Sequence, residues 1–313
     1  MKKSSISAFS LIELSIVILI IGLLIAGVVK GSQLYSNINL AAAQSVTNGS
    51  VVPSIKGLDA WYETSLDQSF DNGDIQDGGD IESWYDINPI SVSKNHLRQV
   101  VGSDTITTPT TNPPSYQKNC INNLPCLTFD ESNNENFIGD KKINIQGSGS
   151  GSFFVVGLVE KDDPNFNDAL YIGSCASAGG GQANRAIRFD INTSADGSGI
   201  RFSSGNRLFN SPFTTNEPYI ATVTFSDASS SATYELYING QQQSQASIAD
   251  TDTNKVNDIF LVGSGCRVNV GGYEAFHEGQ LSEVIIYNTN LQDLNRIAVE
   301  KYLSQKYSIP VNH

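Results

Sequence analysis

The sequence predicts a mainly β protein, in which a long N-terminal hydrophobic α-helix precedes an antiparallel two-sheet β-sandwich and a short C-terminal helix. Two observations support this class. Residues 9–29 form one apolar run, and residues 51–313 divide into short alternating segments separated by Gly, Asn, Ser and Pro. The 313-residue chain therefore has room for one long helix and one globular part of about 260 residues.

The first element is the apolar run from Phe9 to Val29, in which Glu13 is the only ionisable residue. At about 1.5 Å per residue, this run as a helix is roughly 30 Å long, the thickness of the hydrocarbon core of a membrane. A lone carboxylate in such a segment costs a few kcal/mol and indicates a function for that residue. A polar helix continues to Asn48, with a sparse apolar stripe from Leu34 to Ser45.

The sequence Ala-Phe-Ser-Leu-Ile-Glu-Leu at positions 8–14, after a short basic start, resembles the N-terminus of a type IV prepilin. The resemblance implies a leader at residues 1–8, cleavage by a prepilin peptidase between Ala8 and Phe9, and N-methylation of Phe9. It further implies a pilin-type helix over residues 9–50, transmembrane over 9–29, with Glu13 neutralising the Phe9 ammonium of a neighbouring subunit. Prepilins usually carry Gly where this chain has Ala8. The alternative for Glu13 is a side chain that reaches the lipid headgroups.

The segments after residue 57 alternate apolar and polar residues as half-buried strands do. They cover residues 152–160, 169–174, 186–191, 199–203, 218–226, 233–238, 259–262 and 279–287. In residues 218–226 one face carries Tyr219 to Phe225 at every second position, while Thr222 and Thr224 point away. Asn239-Gly240 predicts a two-residue hairpin turn. Residues 291–307 have helical spacing, with Leu294, Ala298 and Tyr302 on one stripe.

Residues 57–62, 84–86, 125–130, 234–240, 279–287 and 291–307 resemble segments of the laminin-G-like, concanavalin A-like jelly-roll family. The family usually has Ser-Gly-x-Gly after its Trp-x-Asp position, where this chain has Ile-Asn-Pro-Ile at 87–90. The resemblance implies a jelly-roll domain over residues 51–313. It also implies that calcium could bind at an edge of the sandwich.

The net charge of −13 argues against nucleic-acid binding, which needs a basic surface. The lysines near the apolar run favour a cytoplasmic N-terminus.

The even number of cysteines, in an exported chain, favours two disulfides. We expect a local Cys120–Cys126 bond and a long-range Cys175–Cys266 bond. The alternative is a metal site, although the chain has no CxxC spacing and its three histidines are scattered.

The motifs of known catalytic sites are absent from the sequence, so we expect no enzyme. There is no Glu-x-Asp-x-x-Glu string of jelly-roll glycosidases, no nucleophile elbow, no phosphate-binding Gly-Lys loop and no His-pair zinc motif. The nearest group of acids is Asp130 and Glu131 with Glu135, where solvated side chains are the ordinary explanation.

No cofactor is required. An acidic loop with Asp71, Asp74 and Asp77 could hold calcium, or could simply be solvated surface.

Together these features predict a pilin-like filament subunit, and its large sandwich favours a minor pilin with an adhesive domain. Its partners would be other pilin or pseudopilin subunits, the prepilin peptidase, the membrane, and a glycan or surface protein bound at unknown residues. It would cross the bacterial inner membrane once, with a periplasmic sandwich, and then reach the pilus or the cell surface. One alternative is a pseudopilin of a type II secretion system, which shares the N-terminal motif. The other is a membrane-tethered carbohydrate-active enzyme, whose sugar turnover would be lost when one acidic pair is mutated.

Overall fold

A computed structural model of the chain describes residues 11–71, 75–99, 112–145, 149–160, 167–173, 187–190, 201–202, 213–226, 234–243, 259–267 and 272–313. Two α-helices are present in these ranges, α1 at Leu11–Asn48 and α2 at Asp293–Tyr307. Short 3-10 turns lie at Val52–Ser54, Asp67–Ser69 and Glu131–Asn133.

The strands are β1 Leu58–Glu63, β2 Gly79–Asp80, β3 Ser83–Trp84, β4 Leu97–Gln99, β5 Ser115–Ile121, β6 Leu124–Phe129, β7 Phe137–Gly139, β8 Gly151–Val159 and β9 Asp168–Gly173. They continue with β10 Ile187–Asp190, β11 Arg201–Phe202, β12 Tyr219–Phe225, β13 Tyr234–Ile238, β14 Gln241–Gln242, β15 Ile259–Val262, β16 Gly265–Arg267, β17 Gly272–Glu274 and β18 Gly279–Tyr287.

The strands form two large antiparallel sheets and one small hairpin. The first sheet has the order β14-β13-β12-β8-β18-β6-β5-β2, and β1 also pairs with β18. The second has the order β11-β10-β9-β15-β7-β4-β3, while β16 pairs with β17. The predicted fold class is confirmed, because a long N-terminal helix precedes an antiparallel sandwich that ends in a short helix.

The main core lies between the two sheets and is rich in aromatic rings. Trp84, Phe137 and Phe260 are fully buried in it, and Tyr62 stacks on Phe260 with ring centroids 6.2 Å apart. Trp84 also donates from Nε1 to the carbonyl of Glu63 at 2.8 Å, which satisfies its polar atom inside the core. This packing fixes the strand ends and loops at the sandwich edges.

A second apolar layer covers the outer face of the first sheet, between that sheet and the two helices. It includes Trp61, Phe154 and Leu303, together with Ala43 from the end of α1. This layer corrects the expectation that one face of β12 points away from the protein, since Thr222 and Thr224 are also buried. Helix α2 packs on β12, so both faces of this strand are covered.

A buried ion cluster joins α2 to the sheet beneath it. The Lys306 ammonium lies 2.8 Å from Glu63 Oε2 and 2.8 Å from Glu283 Oε2, and all three side chains are fully buried. Tyr302 and Tyr307 also donate their hydroxyls to Glu283. Burial opposes the charge on Lys306, but the two carboxylates raise its pKa above the ordinary value. The cluster therefore keeps opposite charges paired where water cannot reach them.

Helix α1 consists of an apolar half whose side chains are exposed and a polar half that lies against the sandwich. The apolar stretch has a mean hydropathy of 2.9 and is long enough to cross a membrane. In the polar half, Ser36 donates to the side chain of Asn119 at 2.8 Å and Gln44 donates to the carbonyl of Ser65 at 2.9 Å. Ala43 and Thr47 are buried. The chain thus has one long apolar N-terminal helix whose far end is attached to the sandwich.

Candidate active site

The candidate site lies in the turn between β6 and β7, where the sequence concentrates acids and amides. Asp130 caps the 3-10 turn Glu131–Asn133, because its Oδ1 accepts from the backbone N–H of Ser132 at 2.8 Å. Asn134 then takes the left-handed conformation, with φ of 56°, which Asn tolerates better than most residues. This local geometry brings the side chain of Glu135 back towards Asp130.

Two carboxylates share one amide at this turn. The Nδ2 atom of Asn133 donates to Asp130 Oδ2 at 3.1 Å and to Glu135 Oε1 at 3.3 Å. The backbone N–H of Asp130 donates to the other Glu135 oxygen at 2.9 Å. The Asp130 and Glu135 carboxylates are therefore neighbours held by a common donor.

The two acids differ in environment. Glu135 is buried, with 8% of its surface exposed, whereas Asp130 is half-buried. Burial raises the pKa of Glu135 to about 7; the hydrogen bonds from Asp130 N–H and Asn133 oppose the shift, and the charges of Asp130 and Asp80 add to it. Near neutral pH, Glu135 can thus carry a proton beside a second carboxylate, an arrangement suited to acid–base chemistry.

A third carboxylate and a buried imidazole surround the pair. Glu278 accepts from the backbone N–H of Glu131 at 2.8 Å. His277 is fully buried, packs edge-on against Phe129 and contacts Asn167 Oδ1 through Nδ1. Burial lowers the pKa of His277 to about 3, so its ring is neutral at physiological pH. The imidazole of His277 therefore adds a polar but uncharged group beside the acids.

The residues that flank β7, β15 and β18 bury further polar atoms beside His277. Asn136 donates to the hydroxyl of Ser264 at 2.6 Å, and the backbone N–H of His277 donates to the carbonyl of Gly263 at 2.9 Å. Within the described ranges, Asn136 Oδ1 and His277 Nε2 have no hydrogen-bond partner. A buried water would satisfy such atoms.

The residues of the predicted calcium loop have separate partners. Asp71 accepts from the hydroxyl of Tyr85 at 2.8 Å, and Asp77 accepts from the backbone N–H of Lys118 at 2.9 Å. Asp74 lies outside the described residues. Among the residues that the structure describes, no group of three or more His, Cys, Asp or Glu side chains could hold a metal ion. Calcium binding at this loop stays a prediction.

The predicted disulfide and processing residues fall partly inside the described ranges. Cys120 and Cys126 form a disulfide across the β5–β6 hairpin. Cys266 is also disulfide-bonded, while Cys175, its predicted partner, lies outside the described residues, as do Ala8 and Phe9. Glu13 is exposed on the first turn of α1. Cleavage after Ala8 stays a prediction.

The sequence matches no family model and no curated protein. Among solved structures, domain 4 of AbnA, an extracellular GH43 arabinanase from Geobacillus stearothermophilus, is 12% identical, with a TM-score of 0.49 over 79% of this chain and 98% of that one. An arabinofuranosidase is 14% identical, with a TM-score of 0.49 over 73% of this chain and 51% of that one. Trypanosoma rangeli sialidase is 12% identical, with a TM-score of 0.45 over 82% of this chain and 34% of that one. At these identities the likeness concerns the fold alone.

These comparisons correct the function expected from the sequence. The similar structures are carbohydrate-active enzymes or their domains, so the prediction of a non-enzymatic pilin-like subunit, whether an adhesive minor pilin or a pseudopilin, is wrong. The short N-terminal segment dominated that prediction, while the much larger sandwich carries the likeness. The group of acids that sequence reasoning dismissed as solvated contains a buried, proton-binding Glu135.

Proposed function

We propose that this chain is a membrane-anchored carbohydrate-active enzyme with an acid pair in which Glu135 is the general acid–base and Asp130 is the nucleophile. One observation carries the proposal: a buried glutamate with a raised pKa shares an amide donor with a more exposed carboxylate. Glycoside hydrolysis needs such a pair, with one acid protonated and the other ionised.

The spacing of the pair favours the retaining reaction. Even if the two hydrogen bonds of Asn133 were collinear, Asp130 Oδ2 and Glu135 Oε1 would be closer than the roughly 6.5–9.5 Å of inverting enzymes. In the first step Glu135 gives its proton to the leaving glycosidic oxygen, and Asp130 forms a bond to the anomeric carbon as the C–O bond breaks. In the second step Glu135 takes a proton from water, whose oxygen displaces Asp130.

The anchor would be the apolar half of α1, whose side chains are exposed along its length. Burying such a surface in lipid is strongly favourable, because each apolar side chain leaves water. The polar half of α1 would then hold the sandwich close to the membrane.

The experiment is an activity screen of the full chain in detergent. The panel contains nitrophenyl glycosides and arabino-, xylo- and sialyl-oligosaccharides. We expect turnover of at least one glycoside, with kcat lowered about 100- to 10,000-fold by Glu135→Gln or Asp130→Asn. Glu82→Gln and Asp67→Asn are matched controls, since both side chains are exposed and distant in sequence from the turn. Turnover that survives both site variants, or a panel with no turnover by folded protein, would refute the proposal.

A further inference from the structure

A cavity lies at the β3–β4 edge of the second sheet. Its volume is about 250 Å³. It lies between the 3-10 turn Asp67–Ser69 and the loop that joins β3 to β4. The lining residues are Gln68, Tyr85, Asp86, Ile87, Lys94 and His96.

The wall of this cavity is held in place by a buried carboxylate. Asp86 accepts from the backbone N–H groups of Trp61 at 3.0 Å, Asn88 at 2.9 Å and Asn95 at 3.1 Å. These three donors fix both ends of the loop and occupy the oxygens of the one carboxylate in the lining. A carboxylate whose oxygens accept from several backbone donors has little capacity left for a ligand.

The remaining lining groups are donors and rings. The Nδ1 atom of His96 accepts from the backbone N–H of Asp86 at 3.2 Å, which leaves Nε2 as the hydrogen-bond donor of this ring. The rings of Tyr85 and His96 pack edge to face, with centroids 4.8 Å apart. Asp71 accepts from the Tyr85 hydroxyl and so fixes that ring at the rim. The cavity thus combines a fixed aromatic surface with N–H donors.

Two lysines, Lys94 in the β3–β4 loop and Lys141 beside that loop, form no ion pair with the residues that the structure describes. Lys94 donates to the carbonyl of Asn88, and Lys141 donates to Ser93 Oγ and, at 2.8 Å, to the carbonyl of Lys94. Over the described ranges, no carboxylate lies within ion-pair distance of either ammonium. Lys94 is the one ammonium among the lining residues, and the oxygens of Asp86, the one carboxylate there, already accept from three backbone N–H groups. The Lys94 ammonium can therefore attract an anion to the cavity.

We propose that this cavity binds a carboxylate-bearing sugar. Lys94 pairs with the sugar carboxylate, Gln68 and His96 donate to it or to ring hydroxyls, and the apolar face of the sugar ring packs on Tyr85. A charge-assisted hydrogen bond to an ammonium is among the stronger polar contacts in proteins. The inference is independent of the acid pair, because binding here requires no turnover.

The test is calorimetric titration of the full chain in detergent with a galacturonic acid trisaccharide and with the matched neutral galactose trisaccharide. We expect the acidic sugar to bind about tenfold or more tightly than the neutral one, and this preference to disappear in Lys94→Gln. Lys94→Arg keeps the charge and should keep the preference. Lys301→Gln, an exposed lysine of α2, should leave both affinities unchanged.

Two further measurements make the test independent of how the variants fold. The affinity of the unaltered chain for the acidic sugar should fall as salt rises from about 0.05 to 0.5 M, while neutral-sugar binding stays constant. Inorganic sulfate at the same concentration should not compete. Equal affinity for both sugars, a preference retained in Lys94→Gln, or full competition by sulfate would overturn the assignment. Glu135→Gln should bind the acidic sugar normally, which separates this result from any failure of the proposed hydrolysis.

Discussion

Replacing Lys306 by Met should strongly destabilise the sandwich. The substitution keeps an unbranched apolar side chain, shorter by the ammonium, but leaves Glu63 and Glu283 fully buried without their shared cation. Removing one partner of a buried ion pair typically costs about 3–5 kcal/mol, because the charge that remains can neither hydrate nor pair. For a domain of this size, each kcal/mol lowers the melting temperature by roughly 2–4 °C, so a decrease of roughly 6–20 °C is expected.

The assay is equilibrium unfolding of the full chain in detergent, followed by near-UV circular dichroism. The matched control is Lys301→Met on the same helix, which removes an exposed lysine and should change stability by no more than about 0.5 kcal/mol. A loss below about 1 kcal/mol in Lys306→Met, or equal losses in both variants, would contradict the view that the cluster fastens α2 to the sheet.

The remaining predictions concern the acid pair, its chemistry and the disulfide. Because Glu135 must be protonated to act as the acid and its pKa is raised to about 7, kcat/KM should fall tenfold per pH unit above about 7; a profile that stays flat to pH 9 would exclude this role. The product released first should retain the anomeric configuration of the substrate in a time-resolved NMR spectrum, and an inverted product would rule out a covalent bond to Asp130. Replacing both Cys120 and Cys126 by Ser should lower the free energy of unfolding by about 2 kcal/mol in a denaturant titration, since the bond closes a short ring; an unchanged midpoint would show that the hairpin alone fixes these strands.

The strands were predictable wherever the chain alternates clearly or carries a strong turn. The segment 279–287 coincides with β18, and Asn239-Gly240 forms the predicted hairpin turn, with positive φ at both residues. The short strands β2, β3 and β4 were not predicted. They have two or three residues each, too few to show a period, and exist because longer neighbours supply their hydrogen bonds.

The helices were predicted, but their buried faces were not. The predicted stripe is only partly buried: Tyr302 is buried and Ala298 half-buried, but Leu294 is 82% exposed, whereas Arg296, Glu300 and Lys306 are buried. Hydrophobic periodicity cannot find a face that is buried by ion pairs, since the charges of such a face appear solvent-facing in the sequence. In α1 as well, the apolar Leu34 is exposed, whereas Thr47 is buried beside Tyr302 of α2.

The candidate site was visible in the sequence only as a group of acids. What distinguishes Glu135 from an ordinary surface glutamate is burial between strands that are distant along the chain, and no local pattern encodes that. A weak signal was present in the Asp-x-x-Asn spacing of residues 130–133, which favours a capped turn and a returning side chain. The cavity beside Tyr85 likewise depends on the contact of two loops that only the tertiary fold brings together.

The continuity of α1 has a mechanical consequence for a protein at a bilayer. The helix has no break between its lipid-sized half and the half fastened to the sandwich, over a total length of roughly 57 Å. The globular part therefore cannot swivel on a linker, and any tilt of the helix in the membrane tilts the whole sandwich by the same angle. In the proposed anchored enzyme, the acid pair would therefore lie at a fixed height above the lipid surface.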